Sequence, residues 1–180
     1  TTAALATWPP SPKPMKFADL AYDDTYVAEV LFPIRSGKEA TVYFCQAQPH
    51  TGLSLVAAKV YRPIEWRMFR NDALYQQGRH INDARMRRAY RNKSRTGRRI
   101  QYSGWVSSEY ETMCILHDSG AAIPEPYTQT QSTIIMEYIG DPDQSAPMLN
   151  QVHLSREESR KLYTRLIEKI RLWLACGRVH

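Results

Sequence analysis

The sequence predicts an α+β fold: a small antiparallel sheet with one packed helix, followed by the first helix of a second part. Three observations lead there. Residues 26–61 hold three β-rich runs broken by turn residues. The apolar positions between Trp105 and Leu116 recur at helical spacing, and a stronger helical period runs from Leu162 to Leu174.

Taken in order, residues 1–25 open on a Pro-rich stretch, TTAALATWPPSPKPMK, without the basic flank and apolar core of a secretory signal. They read as a flexible tail. From Tyr26 to Ala47, two short strands flank a turn at Ser36-Gly37-Lys38, with Thr41, Val42, Tyr43 and Phe44 supplying β-branched and aromatic residues. Leu53–Tyr61 is near-continuously apolar and reads as a third strand, in which Lys59 is the anomaly. Residues 62–104 form a basic insert with no clean apolar stripe, expected to be partly helical and mobile. A helix follows from Trp105 to His117, stopped by Gly120. Pro124-Glu125-Pro126 is held extended, and STIIMEYIG reads as a buried strand. The linker DPDQSAPMLN then leads to Ser155 and Glu158, a capping-box pair, before a helix that Gly177 ends. The expected organisation is a tail over 1–25, a main unit over 26–140 carrying the insert, and a linker with the start of a second unit over 141–180.

Composition narrows the function classes. The chain has 180 residues, 43% hydrophobic and 23% charged, which suits one compact domain rather than a disordered chain. No apolar run approaches the roughly 20 residues of a membrane span. Cys45, Cys114 and Cys176 are odd in number and lack CxxC spacing, which argues against a disulfide framework or zinc site and for a reducing cytoplasm. The five histidines show no metal-ligand spacing. The net charge of +6 is unevenly placed: residues 62–99 carry twelve basic side chains against three acidic ones, a local +9 that leaves −3 elsewhere. Such segregation suggests contact with phosphate-rich partners. Arg85, Arg87, Arg88 and Arg91, with Tyr75, Tyr90 and Tyr102 interleaved, could hold RNA phosphates and stack bases. They suit a solvated face or a loop for an acidic substrate equally well.

Two charges stand out because they fall on apolar surfaces. Glu109 lies four residues from both Trp105 and Met113, on the apolar stripe of its own helix, and Lys59 is the one charge in its strand. A carboxylate or ammonium facing the core needs a partner. Strand and helix on one small sheet would bring the two together, the pairing by which a kinase-type site orients its phosphate-holding lysine. A lysine snorkelling at a strand end and a part-exposed glutamate would leave the same local pattern. Arg35-Ser36-Gly37-Lys38 can set backbone N–H groups and a charge against a phosphate, but with its single glycine it also suits an ordinary hairpin turn. Met136 to Gly140 ends a strand where exposed backbone could meet a base edge, and it suits a plain strand end as well.

In order and spacing, SGKEATVY at 36–43, AAKVYR at 57–62, FRNDALYQQGR at 69–79, WVSSE at 105–109, PEP at 124–126, IIMEYIG at 134–140 and APML at 146–149 resemble the RIO family of atypical serine/threonine protein kinases, in its Rio-one-like branch. The resemblance covers about residues 26–180, and the Arg density of the insert leans towards bacterial members. It implies a protein-kinase-like N-lobe with an antiparallel sheet and one packed helix, a hinge, and the first helix of a C-lobe. It implies transfer of the ATP γ-phosphate to protein Ser or Thr, or hydrolysis of ATP as a switch, with ATP and Mg²⁺ as cofactors and a protein substrate as partner; an RNA- or ribosome-binding module working through the basic insert is the alternative. Ser36, Gly37 and Lys38 then match the nucleotide-contacting turn, Val42 the nucleotide-facing strand, Lys59 the phosphate-anchoring lysine and Glu109 its helix partner. Met136 matches the gatekeeper, with Glu137 and Ile139 at the adenine hinge. In the family, Arg-Val-His at 178–180 would lead into the catalytic loop and the metal-binding Asn and Asp. The expectation is therefore a stretch ending before the transfer machinery, inactive by itself and with no metal ligands of its own.

Overall fold

A computed structural model describes residues 25–62 and 95–177, the side chains of 95–101 excepted. Five strands form one antiparallel sheet: β1 (Val27–Ser36), β2 (Ala40–Ala47), β3 (Leu55–Tyr61), β4 (Pro126–Gln129) and β5 (Thr133–Glu137). Their order across the sheet is β1-β2-β3-β5-β4, so the third and fifth strands are neighbours at its centre. Helix α1 (Arg95–Asp118) supplies the long connection between β3 and β4, and α2 (Arg156–Ala175) follows the linker.

The hairpin, the third strand and the β5 strand arise where the β-rich runs predicted them. Alternation along β3 explains its unbroken apolar character, because both faces are covered. Val56, Ala58 and Val60 join Val27, Tyr43, Cys45 and Ile135 in one buried cluster. Ala57, Lys59 and Tyr61 face the other way, where Tyr61 packs with Val106 and Ile134 beneath α1. Trp105, Tyr110 and Met113 close over this second cluster, and Trp105 meets Tyr61 edge to face at 4.7 Å. Full burial of a side chain such as Val106 stabilises by about 1.5–3 kcal/mol. On the other side of the sheet, Pro33 sits in β1, an edge strand whose register against β2 shifts three times, and its missing N–H is tolerated there.

Two elements differ from expectation. A fifth strand, β4, continues the extended Pro124–Pro126 segment; its four residues are all half-buried, so no alternation marks it. Helix α1 begins at Arg95, ten residues before Trp105. Local propensity in that stretch is poor, with Gly97 and Gly104, but the Tyr102 hydroxyl donates to the Tyr61 carbonyl at 2.8 Å and anchors it on the sheet. The helix stops as expected: Gly120 lies at φ 78° and its N–H donates to His117 while that of Ala121 reaches Leu116. The α2 cap is also as expected, with Ser155 accepting from the Glu158 N–H and the Glu158 carboxylate from the Ser155 N–H.

Candidate functional site

The pairing predicted from two isolated charges is present. Lys59 Nζ and the Glu109 carboxylate form an ion pair between β3 and α1. The register of β3 sets Lys59 on the α1 side of the sheet, between Val42 of β2 and Ile134 of β5. The helical period of α1 sets Glu109 on the same stripe as Trp105 and Met113, which rest on the sheet. The side chains are 29% and 28% exposed, so the pair is neither sealed in the core nor free in solvent. The ammonium also stands 5.1 Å from the centre of the Tyr61 ring, whose face attracts cations. Carboxylate and ring together orient Lys59, whose side chain stays part-exposed.

Around this pair the sheet face is closed at two ends. Towards Tyr61 it is covered by α1. Towards the linker, Phe32 of β1, Phe44 of β2 and Tyr138 meet in sequence at tilted angles, with ring centres 4.9 Å and 4.5 Å apart. Phe44 is 3% exposed as a result. Val42 lies opposite Lys59, and Met136 opposite Ala57, so both share the face with the lysine. The small Ala57 between Phe44 and Met136 leaves the least side-chain bulk at the middle of that face.

The end of β5 and the chain after it are held by local contacts. The Glu137 N–H donates to the Glu125 carbonyl at 2.8 Å, and its carboxylate accepts from the Glu125 N–H at 3.2 Å. The Ile139 carbonyl accepts from the Ala146 N–H at 2.9 Å, while the Ile139 side chain is exposed. At Gly140 the linker folds so closely that a Cβ would stand 2.6 Å from the Gln144 carbonyl. Asp141 caps the following turn by accepting from the Asp143 and Gln144 N–H groups.

The β1–β2 turn carries Ser36, Gly37 and Lys38, all exposed. Its Gly37 N–H donates to Ala40 at 2.8 Å, and the Ser36 and Thr41 hydroxyls are 3.2 Å apart. Arg62, placed by the sequence at the start of the insert, is instead buried against this turn. Its only signal in the sequence is its place directly after an apolar strand. Arg85, Arg87, Arg88 and Arg91 lie outside the described residues. Among the described residues no cluster of three His, Cys, Asp or Glu could hold a metal ion, and no helix is long and apolar enough to cross a membrane.

Known proteins are similar to most of this chain. The serine/threonine-protein kinase RIO1 of Caenorhabditis elegans is 26% identical over 148 residues, 82% of this chain and 27% of that one. Its human counterpart is 29% identical over 145 residues, 81% of this chain and 24% of that one. The chain thus spans about a quarter of the length of the curated relatives it matches. Among solved structures it is similar to the Rio2 kinase of Chaetomium thermophilum, in a crystal structure described as an ADP/Mg²⁺-phosphoaspartate complex. That likeness has a TM-score of 0.48 and 21% identity over 79% of this chain and 35% of that one. The model of the RIO domain matches residues 41–180, so the chain belongs to the RIO domain family.

Proposed function

We propose that the Lys59 face holds ATP, and that the chain is the nucleotide-holding part of a serine/threonine protein kinase. The Lys59–Glu109 pair carries this reading: an oriented, reachable ammonium on an otherwise apolar sheet face is what a polyphosphate needs and what a packed core does not. Family membership, with relatives named as serine/threonine kinases, supports the same chemistry. Lys59 would meet the α- and β-phosphates, with Glu109 holding it in place. Ser36, Gly37 and Lys38 would lie along the phosphates, Val42 and Met136 would line the base slot, and the backbone of Glu137 and Ile139 would meet the base edge. In the full reaction a substrate Ser or Thr oxygen bonds to the γ-phosphorus, the bond to the ADP oxygen breaks, and the hydroxyl proton passes to a catalytic base or to solvent. The Lys59–Glu109 pair positions phosphates and takes no proton in this scheme. Mg²⁺ belongs to the reading as the counter-charge of the nucleotide phosphates. Free thiols at Cys45, Cys114 and Cys176 suit the reducing cytoplasm in which such a kinase would work.

Titration calorimetry with ATP and Mg²⁺ tests the site. Saturable binding is expected, weakened at least about tenfold in Lys59→Ala, the scale of a lost charge-assisted contact. Equal binding by parent and variant would remove Lys59 from the site. Transfer of labelled γ-phosphate to protein tests the kinase step separately.

The local charge of +9 over residues 62–99 favours a second reading, an RNA or ribosomal-particle contact through Arg85, Arg87, Arg88 and Arg91. Salt-dependent RNA binding that disappears when the four arginines are neutralised supports it. Binding that is unchanged by neutralisation removes it.

A further inference from the structure

Arg62 follows the last residue of β3 and is 8% exposed. Its backbone N–H donates to the Glu39 carbonyl at 2.8 Å, which continues the β2–β3 ladder into the β1–β2 turn. The side chain then folds under that turn. Nε donates to the Gly37 carbonyl at 3.1 Å, and Nη2 donates to Ser36 Oγ at 2.7 Å, with Thr41 Oγ1 at the limit of bonding, 3.5 Å. One rigid fork thus holds a backbone carbonyl and a hydroxyl of two successive turn residues.

Two consequences follow. The peptides are trans, and in a trans peptide the C=O and the next N–H point in opposite directions. With the Gly37 carbonyl turned in towards the guanidinium, the Lys38 N–H is turned out of the turn. The second consequence is electrostatic. Among the described residues no carboxylate pairs with Arg62 and the acceptors of its side chain are neutral, so a buried cation lies directly beneath the turn. A buried charge so placed favours an anion nearby.

We infer that Arg62 is the positioning residue of the β1–β2 turn, holding the outward Lys38 amide and adding positive potential so that the turn meets a polyphosphate preformed. The inference rests on the ATP reading above and adds to it a residue that touches no ligand. Its signature is selective: Arg62 governs the phosphate part of the ligand and leaves the base part alone.

The test compares the parent with Arg62→Lys, which keeps the charge and loses the fork, by amide hydrogen exchange over residues 36–41 and by calorimetry with ATP and with adenosine. Exchange in the turn is expected to quicken on the order of tenfold, and ATP to bind on the order of tenfold more weakly, with adenosine unchanged. Unchanged exchange and ATP affinity would overturn the inference. Equal weakening of ATP and adenosine would overturn it too, because a general loss of structure acts on both. If the parent binds no ATP, the nucleotide reading fails and the phosphate half of the inference with it, while exchange alone still decides whether Arg62 holds the turn. Should Arg62→Lys lose its cooperative melt, Ser36→Ala, which removes the acceptor of the shortest bond, carries the exchange comparison alone: quicker exchange over residues 37–41 is expected, and unchanged exchange would overturn the inference.

Discussion

Replacing Glu109 by Gln removes one charge from the site and little of its volume, and the structure bounds what that costs. A fully exposed pair contributes about 0.2–1 kcal/mol. Truncating one partner of a fully buried pair costs about 3–5 kcal/mol, because the other charge is stranded. With side chains 29% and 28% exposed, the Lys59–Glu109 pair lies between these limits. Glu109→Gln is therefore expected to destabilise by about 2 kcal/mol, a drop in melting temperature of roughly 4–8 °C for a chain of this size. Lys59→Met should cost a similar amount, since it leaves the carboxylate unpaired on an apolar stripe. The double variant, Lys59→Met with Glu109→Leu, should melt within about 1 kcal/mol of the parent, because apolar residues of similar size replace a buried pair at little cost. It should also have lost ATP binding, which separates the stability of the face from its function. Thermal melts of a cycle built from Lys59→Met and Glu109→Gln read the coupling directly. A coupling below about 0.3–0.5 kcal/mol, the range of independent sites, would refute the claim that Glu109 holds Lys59.

Three other outcomes follow from single features. Burial pushes the Cys45 thiol from its ordinary 9.0 up to about 12. An alkylating reagent at mildly basic pH should therefore label Cys114 and Cys176 in the native chain and reach Cys45 only on unfolding, as peptide mapping would show. Because the folded state holds that proton more tightly, the stability linked to Cys45 is full below pH 9 and declines as pH rises towards about 12. The hydrogen bonds from Ser155 hold the Glu158 carboxyl below its ordinary value, so this cap stabilises α2 at neutral pH and is lost as pH falls below the usual carboxylate range. The far-UV helical signal of Glu158→Ala, which removes the carboxylate that accepts from the Ser155 N–H, should be lower at neutral pH and converge with the parent in acid; parallel acid profiles would count against the cap. Gly140→Ala places a Cβ 2.6 Å from the Gln144 carbonyl and the Tyr138 hydroxyl and 2.8 Å from Ser145 Cα. The backbone neighbours cannot swing aside, so the variant should lose about 1–3 kcal/mol in a denaturant melt, and an unchanged midpoint would contradict the tight linker.

What the sequence made legible was what local chemistry over-determines. Val42, Tyr43 and Phe44 on one side of Ser36-Gly37-Lys38 specify a strand and a turn whatever lies beyond, and Ser155 with Glu158 specifies a helix start within four residues. The start of α1 is a different case. Between Arg95 and Gly104 the chain is basic and contains two glycines, and the Tyr102 hydroxyl contributes a bond to Tyr61 only because β3 is already there. Strand β4 likewise exists by pairing with β5, since Pro126, Thr128 and Gln129 find Met136, Ile135 and Ile134. Tertiary partners decide both elements, and no window of sequence contains those partners.

The same division runs through the site. Lys59 and Glu109 could be read in advance because each was out of place, and an isolated charge on an apolar surface requires a partner of opposite sign. Arg62 was out of place in no local sense: an arginine after a strand and before a basic segment belongs to the segment by composition. Only the antiparallel register, which sets Ala40 opposite Tyr61, carries residue 62 back to the turn that begins at Ser36. The aromatic group of Phe32, Phe44 and Tyr138 needs still more, with one residue from each of two strands and one from the linker. Yet these non-local contacts give the local anomaly its place. α1 closes one end of the face and the aromatic group the other. Lys59 is thereby left as the charged group between two apolar walls, with Arg62 holding the turn alongside. A lysine merely snorkelling from a strand end would need neither wall.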